Sequence, residues 1–282
     1  MYDFTGGVAF FDSGIGGLTV LAECKKRIPN VPFLYFGDNG NAPYGNLPTA
    51  TIRGRVFEIF SLFERLRVRA AVVACNTVTA LCVDELRKRY AFSIIGTEPA
   101  VLSAAKEGGE IFALTTRATY QSERFRRLCK MAEARYPSAR IHLHPCDGLA
   151  GAIERRLFDE TFDCAPLLPI GTPNAVVLGC THYVYLKKQI SLHYGCTVYD
   201  GNQGVANRLF SVLQKNPRQN RDARPLVTSG WEKAWKSGGG EYEDAYNVEA
   251  VRLCVALGEA PIFFLGSHRN VNKHVFEQMF AK

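Results

Sequence analysis

The sequence predicts an α/β protein built from two similar lobes, and three observations carry that expectation. Short apolar runs alternate with helix-length amphipathic segments: GVAFFD (7–12), VPFLYFGD (31–38), AAVVACN (70–76), FSIIGT (92–97), EIFALTT (110–116), ARIHLHP (139–145), NAVVLGC (174–180) and CTVYD (196–200). Runs this short, with almost continuous apolar character, suit parallel strands covered on both faces and joined by right-handed crossovers. Two stretches, VVACNTVTALCVDELRKRY at 72–90 and VVLGCTHYVYLKKQISLHY at 176–194, read as one unit written twice. That repetition favours two similar sheets over a single eight-stranded barrel, with the ligand site in the cleft between them.

Helix boundaries follow from local chemistry. Pro48 and Thr49 open a helix running to Leu66, Ser122 precedes a helix beginning at Glu123, and Thr77 or Thr79 is expected to cap the helix after Cys75. Pro and Gly clusters near 216–225 and at 237–241 read as surface loops.

The chain has 282 residues, 47% of them hydrophobic and 22% charged, as in ordinary globular proteins. No apolar run is long enough for a membrane span, and the N-terminal stretch lacks the basic region of a signal peptide, so a cytosolic protein is expected. Nine cysteines, an odd number without a CxxC pair, are expected to be thiols rather than disulfides or zinc ligands. The net charge of +7 permits acidic partners. No nucleic-acid module accompanies it, and arginines such as Arg53, Arg55, Arg65, Arg67 and Arg69 fit a solvated helix face.

Cys75 and Cys180 both stand where a strand ends and a helix begins, the usual ligand position in an open α/β sheet. The helix N-terminus is expected to lower the thiol pKa there. Asn76 and Thr77 follow one cysteine, Thr181 and His182 the other, and all four offer hydrogen bonds to a small polar ligand. His182 is also placed to exchange a proton with Cys180.

In FFDSGIGGLTV (10–20), Gly14, Gly16 and Gly17 permit close backbone approach while Asp12 and Ser13 present polar groups. The stretch matches neither a Walker A loop nor a dinucleotide fingerprint. Asp38 with Pro43, Tyr44 and Gly45, and Thr116 with Thr119, stand at further strand ends, where a plain turn and a helix cap are the alternatives. Cys129 and Arg135 share a phosphatase spacing but lie in a helix without glycines.

Two thiols facing across one cleft suit inversion at a carbon acid, one removing the Cα proton and the other returning a proton to the opposite face. No cofactor or metal motif is visible, so none is expected. A protein that only binds an amino acid would need no thiol at both strand ends.

The segments FDSGIGGLTV, APYG, ACNT, GTEPA, LTTRAT and LGCTHY resemble, in order and approximate spacing, the glutamate racemases of the cofactor-independent aspartate/glutamate racemase superfamily. The resemblance runs to about Asp200 and more weakly beyond. It implies interconversion of L- and D-glutamate to supply D-glutamate for peptidoglycan, with Cys75 acting on the D and Cys180 on the L enantiomer. By the same likeness, Asp12 assists the first thiol, and His182 with Glu154 the second. Ser13, Pro43, Tyr44, Gly45, Asn76, Thr77, Thr116, Thr119 and Thr181 are substrate contacts, and Asp38 is a supporting acid.

The first lobe is expected at 1–97 plus 207–282 and the second at 98–206. The implied partner is the small-molecule substrate, glutamate, with no membrane or nucleic acid; a homodimer is left open. The chain departs from the family pattern at Val184, where proline often stands, and at Asp147, where Cys146 is often followed by proline. Aspartate racemisation, simple amino-acid binding, and regulation of a macromolecular partner are the alternatives.

Overall fold

The computed structural model describes residues 6–157, 159–215, 251–253 and 262–266. The loops read at 216–225 and 237–241, Cys254, and most of 207–282 lie outside the described residues.

Eight strands fall where the apolar runs place them: β1 (Val8–Asp12), β2 (Phe33–Gly37), β3 (Ala70–Val73), β4 (Ser93–Gly96), β5 (Gly109–Thr115), β6 (Ala139–Pro145), β7 (Ala175–Gly179) and β8 (Thr197–Tyr199). Two more, β9 (Val251–Leu253) and β10 (Ile262–Gly266), lie beyond those runs.

The strands form two sheets, ordered β4-β3-β1-β2-β10-β9 and β6-β5-β7-β8. All pairings are parallel except β10 with β9. Read from its other edge, the second sheet runs β8-β7-β5-β6, so both sheets contain the same fourth-third-first-second arrangement of consecutive strands. Cys75 follows the third strand of one unit and Cys180 the third strand of the other. The repeated sequence is therefore a repeated position in the fold.

Every residue of β1, β2, β3 and β7 is buried, which explains their uninterrupted apolar character. One apolar cluster is continuous across the two sheets, joining Phe10, Ile15 and Tyr35 to Leu178, Tyr183 and Leu209. Another packs Phe11, Phe36, Phe60 and Phe63 on the opposite face of the larger sheet. Burying each such side chain stabilises the fold by about 1.5–3 kcal/mol.

The helices are α1 (Gly17–Arg27), α2 (Thr49–Arg65), α3 (Asn76–Arg89), α4 (Val101–Ala105), α5 (Arg117–Gln121), α6 (Glu123–Arg135), α7 (Leu149–Arg156), α8 (Lys187–Tyr194) and α9 (Asn202–Lys215). Pro48 precedes α2, and the Ser122 hydroxyl accepts the Phe125 N–H at the start of α6. Cys129 and Arg135 lie within α6.

One capping expectation is corrected. Cys75 itself is the N-cap of α3, and Thr77 and Thr79 lie inside the helix. Their hydroxyls go elsewhere: Thr79 donates to the Val73 carbonyl and accepts the Thr97 N–H, while Thr77 meets Thr116.

No helix among the described residues is long and apolar enough to cross a membrane.

Candidate active site

Cys75 and Cys180 are buried, at 5% and 6% exposure. Cys75 Sγ lies 3.7 Å from Ser13 Oγ, to which it donates, and the Val78 N–H of α3 points at the same sulfur. The expected lowering of the Cys75 thiol is nevertheless reversed. Burial raises its pKa, Asp12 and Cys180 add to the rise, and the hydrogen bonds from the helix end and Ser13 do not offset them. Cys75 consequently rests as a neutral thiol.

Cys180 precedes a 3-10 turn, Thr181–Leu186, rather than an α-helix, with α8 following. Its sulfur lies 3.7 Å from His182 Nδ1, and His182 Nε2 lies 2.6 Å from Glu154 Oε1. Burial pulls the imidazole pKa down, but the hydrogen bonds to Cys180 and Glu154 outweigh it and hold the pKa well above 6.5. Glu154 reaches this position from α7, where it also accepts the Ile15 N–H at 2.9 Å.

Asp12 closes β1 and is fully buried. Its Oδ2 accepts the Gly17 N–H at 2.7 Å, while Oδ1 has no hydrogen-bond partner among the described residues. Burial raises its carboxyl pKa, against the lowering by His182 and by the Gly17 N–H.

The glycines of this turn allow the two sheets to meet. A β-carbon on Gly14 would collide with the Glu154 carboxylate, and one on Gly16 would lie 2.6 Å from both the backbone nitrogen and Nδ1 of His182. Side chains at these positions would wedge the β1 turn away from the Cys180 turn.

Asn76 and Thr77 also span the seam. With its amide oriented so that both ends are satisfied, Asn76 donates to the Thr97 carbonyl at 2.9 Å and accepts the N–H groups of Cys180 and Thr181, each at 3.3 Å. Thr77 Oγ1 lies 2.9 Å from Thr116 Oγ1, which donates to Thr119 Oγ1 at 3.1 Å. Thr116 is also the N-cap of α5, so its capping role and its place at the seam coexist.

Asp38 is fully buried and accepts hydrogen bonds from the Tyr44 hydroxyl, from Arg55 through Nε at 2.6 Å and Nη2 at 3.0 Å, and from Asn41. These bonds fix the loop carrying Pro43, Tyr44 and Gly45. Gly45 in turn sits so close to Thr116 that a β-carbon would lie 2.8 Å from Thr116 Cβ.

The fifteen residues that the sequence offers as catalytic, substrate-contacting or supporting groups fall into this seam or into the loops that form it. Arg55, expected on a solvated helix face, is instead bound to the buried Asp38. Tyr35 and Tyr185 were not singled out; their hydroxyls hold the Gly14 and Ile15 carbonyls at 2.7 and 2.8 Å. No sequence period marks a tyrosine that reaches a carbonyl in another element.

Among the described residues, no group of three or more His, Cys, Asp or Glu side chains is arranged to hold a metal ion. A doubled α/β unit with one thiol at each equivalent strand end, one beside a carboxyl and the other beside a histidine, is the architecture of a racemase, an isomerase. The chain belongs to the Asp/Glu/hydantoin racemase family, whose model matches residues 19–209.

It is 35% identical over 217 residues to the glutamate racemase of Bifidobacterium animalis subsp. lactis, covering 73% of this chain and 84% of that protein. With the glutamate racemase of Clostridium kluyveri it shares 36% identity over 220 residues, covering 74% and 84%. Among solved structures it resembles Escherichia coli glutamate racemase in complex with L-glutamate and the activator UDP-MurNAc-Ala, with a TM-score of 0.65, 30% identity, and coverage of 74% and 82%. The Bacillus anthracis glutamate racemase isoform RacE1 gives a TM-score of 0.63 at 28% identity, with the same coverage.

Proposed function

We infer that the protein interconverts L- and D-glutamate by a two-base proton transfer between Cys75 and Cys180. The observation that carries this reading is the pairing of two buried thiols at equivalent strand ends, Cys75 beside Asp12 and Cys180 beside His182. The glutamate racemases among its relatives support glutamate as the substrate.

In the L to D direction, Cys180 removes the Cα proton with His182, held by Glu154, taking up or returning the thiol proton. Cys75, a neutral thiol, delivers a proton to the opposite face. In the reverse direction Cys75 must first lose its proton, and Asp12 stands beside it with a carboxyl oxygen that has no hydrogen-bond partner among the described residues. That oxygen also suits the substrate ammonium group.

The N–H groups at the two turns and the threonine hydroxyls would hold the carboxylates and spread the charge that develops on deprotonation. The reaction needs no external oxidant or reductant, since one proton leaves Cα and another replaces it.

The two lobes are assigned to 1–97 with 207–282, and to 98–206. Both thiols are nearly inaccessible here, so substrate entry requires the lobes to part and closure to exclude water. A cytoplasmic role supplying D-glutamate for peptidoglycan follows from the resemblance.

The test is circular dichroism of L-glutamate with the purified protein, in the presence of a chelator and without pyridoxal phosphate. Loss of optical activity supports the reading. Loss with L-aspartate but not L-glutamate would replace the substrate, and an unchanged signal with both would leave a binding protein.

A further inference from the structure

None of the residues assigned above to substrate contact is a lysine or arginine, although the substrate carries an acidic side chain. Arg117 directly follows Thr116 and begins α5. It lines a narrow recess of about 20 Å³, formed by Pro43, Gly45 and Asn46 on one side of the seam and by Thr116, Cys146 and Asp147 on the other. That is little more than the space of one water, so the recess marks where the seam is closed. Three of these residues, Pro43, Gly45 and Thr116, are also assigned to the substrate.

Among the described residues lining the recess, Arg117 is the one cation. Its guanidinium is engaged in a fork with Asp147, in the turn after β6: Nε donates to Oδ1 at 3.2 Å, and Nη2 donates to Oδ2. Both side chains are about half exposed, at 54% and 49%. A pair this exposed is weakly held, and the same planar fork fits any other carboxylate equally well.

Resting on the glutamate racemase reading, we propose that Arg117 receives a carboxylate of the incoming acidic amino acid at the mouth of the site, and that Asp147 is its exchangeable counter-ion. At the open mouth Arg117 trades Asp147, which belongs to its own lobe, for the substrate; once the substrate has moved inward, the pair reforms over the recess. Arg117 thereby selects for acidic amino acids at entry, and Asp147 limits how strongly it does so.

The alternative is a clip that merely fastens α5 to the turn after β6. The two roles differ in sign. If the pair is a clip, Arg117→Gln and Asp147→Asn break the same contact and behave alike. If Arg117 receives substrate, they move in opposite directions.

Initial rates with L-glutamate on the full chain, at low and high salt, decide between them. Arg117→Gln should lower kcat/KM about tenfold through KM, with kcat nearly unchanged and a flatter salt dependence, while Arg117→Lys recovers part of the loss. Asp147→Asn should raise kcat/KM at low salt by about two- to fivefold. A parallel fall in both variants, or no change in kcat/KM in either, would overturn the proposal. A wild-type protein inactive on glutamate would instead overturn the functional reading beneath it.

Discussion

The carboxylate of Glu154 accepts the backbone N–H of Ile15 at 2.9 Å with the same oxygen that holds His182 at 2.6 Å. One atom therefore joins the β1 turn, the α7 helix and the histidine beside Cys180. Its two partners come from different elements, so it ties the orientation of the imidazole to the position of the β1 turn. Glu154→Gln keeps the shape but replaces the carboxyl group by an amide. It should lower kcat for L-glutamate about a hundredfold, the scale of a disturbed proton transfer. The far-UV circular dichroism should be unchanged. A variant with wild-type turnover would remove Glu154 from the proton path.

Gly16 has φ −58° and ψ −41°, a conformation that alanine adopts freely. Any effect of Gly16→Ala must then come from its methyl group, which would lie 2.6 Å from the His182 backbone nitrogen. On the proposed two-base mechanism, the expected result is a folded protein whose kcat/KM falls about a hundredfold, because a small displacement at the seam misaligns the two thiols relative to one carbon. A Gly16→Ala protein of normal activity would show that the seam has slack.

His182 also links pH to stability. Its folded pKa is raised above the ordinary 6.5, so it contributes stability fully below about pH 6.5 and loses that contribution as pH rises through the folded value. The native state binds more protons than the unfolded chain across that window, which makes the slope negative. In urea denaturation from pH 6 to pH 9, the stability advantage of wild type over His182→Gln should shrink steadily. An advantage that grew with pH would mean the histidine is buried neutral.

The sequence makes one layer of this site legible and hides the next. Cys75 and Cys180 are readable because a strand end and a following turn are local events, and the twofold order of the sheets preserves the local likeness. Asp12 and the glycines around it are readable for the same reason. The destination of a side chain that leaves its own element is not local. Thr77 looks like a cap for α3 but faces Thr116, and Asn76, next to one cysteine, accepts the N–H of the other. The rise in the Cys75 pKa was hidden likewise, since a helix N-terminus can be read from sequence whereas full burial beside Asp12 cannot. Glu154 was reached only by resemblance, for nothing in its own helix marks it.

The separate faces assigned to Cys75 and Cys180 have an isotopic consequence. If Cys180 takes the proton of L-glutamate, the hydrogen that appears in D-glutamate comes from Cys75, which has already exchanged with solvent. In heavy water, the earliest D-glutamate should therefore be almost fully deuterated at Cα while unreacted L-glutamate is still mostly protiated, as mass spectrometry of the separated enantiomers would show. A single base serving both faces would carry original protium into the product. Cys75→Ala sharpens the test. Without its donor the variant cannot complete the inversion, yet Cys180 and its histidine are intact, so slow exchange of deuterium into L-glutamate without formation of D-glutamate is expected. Protium retained in the first product, or racemisation by a folded Cys75→Ala protein, would break the assignment of one thiol to each face.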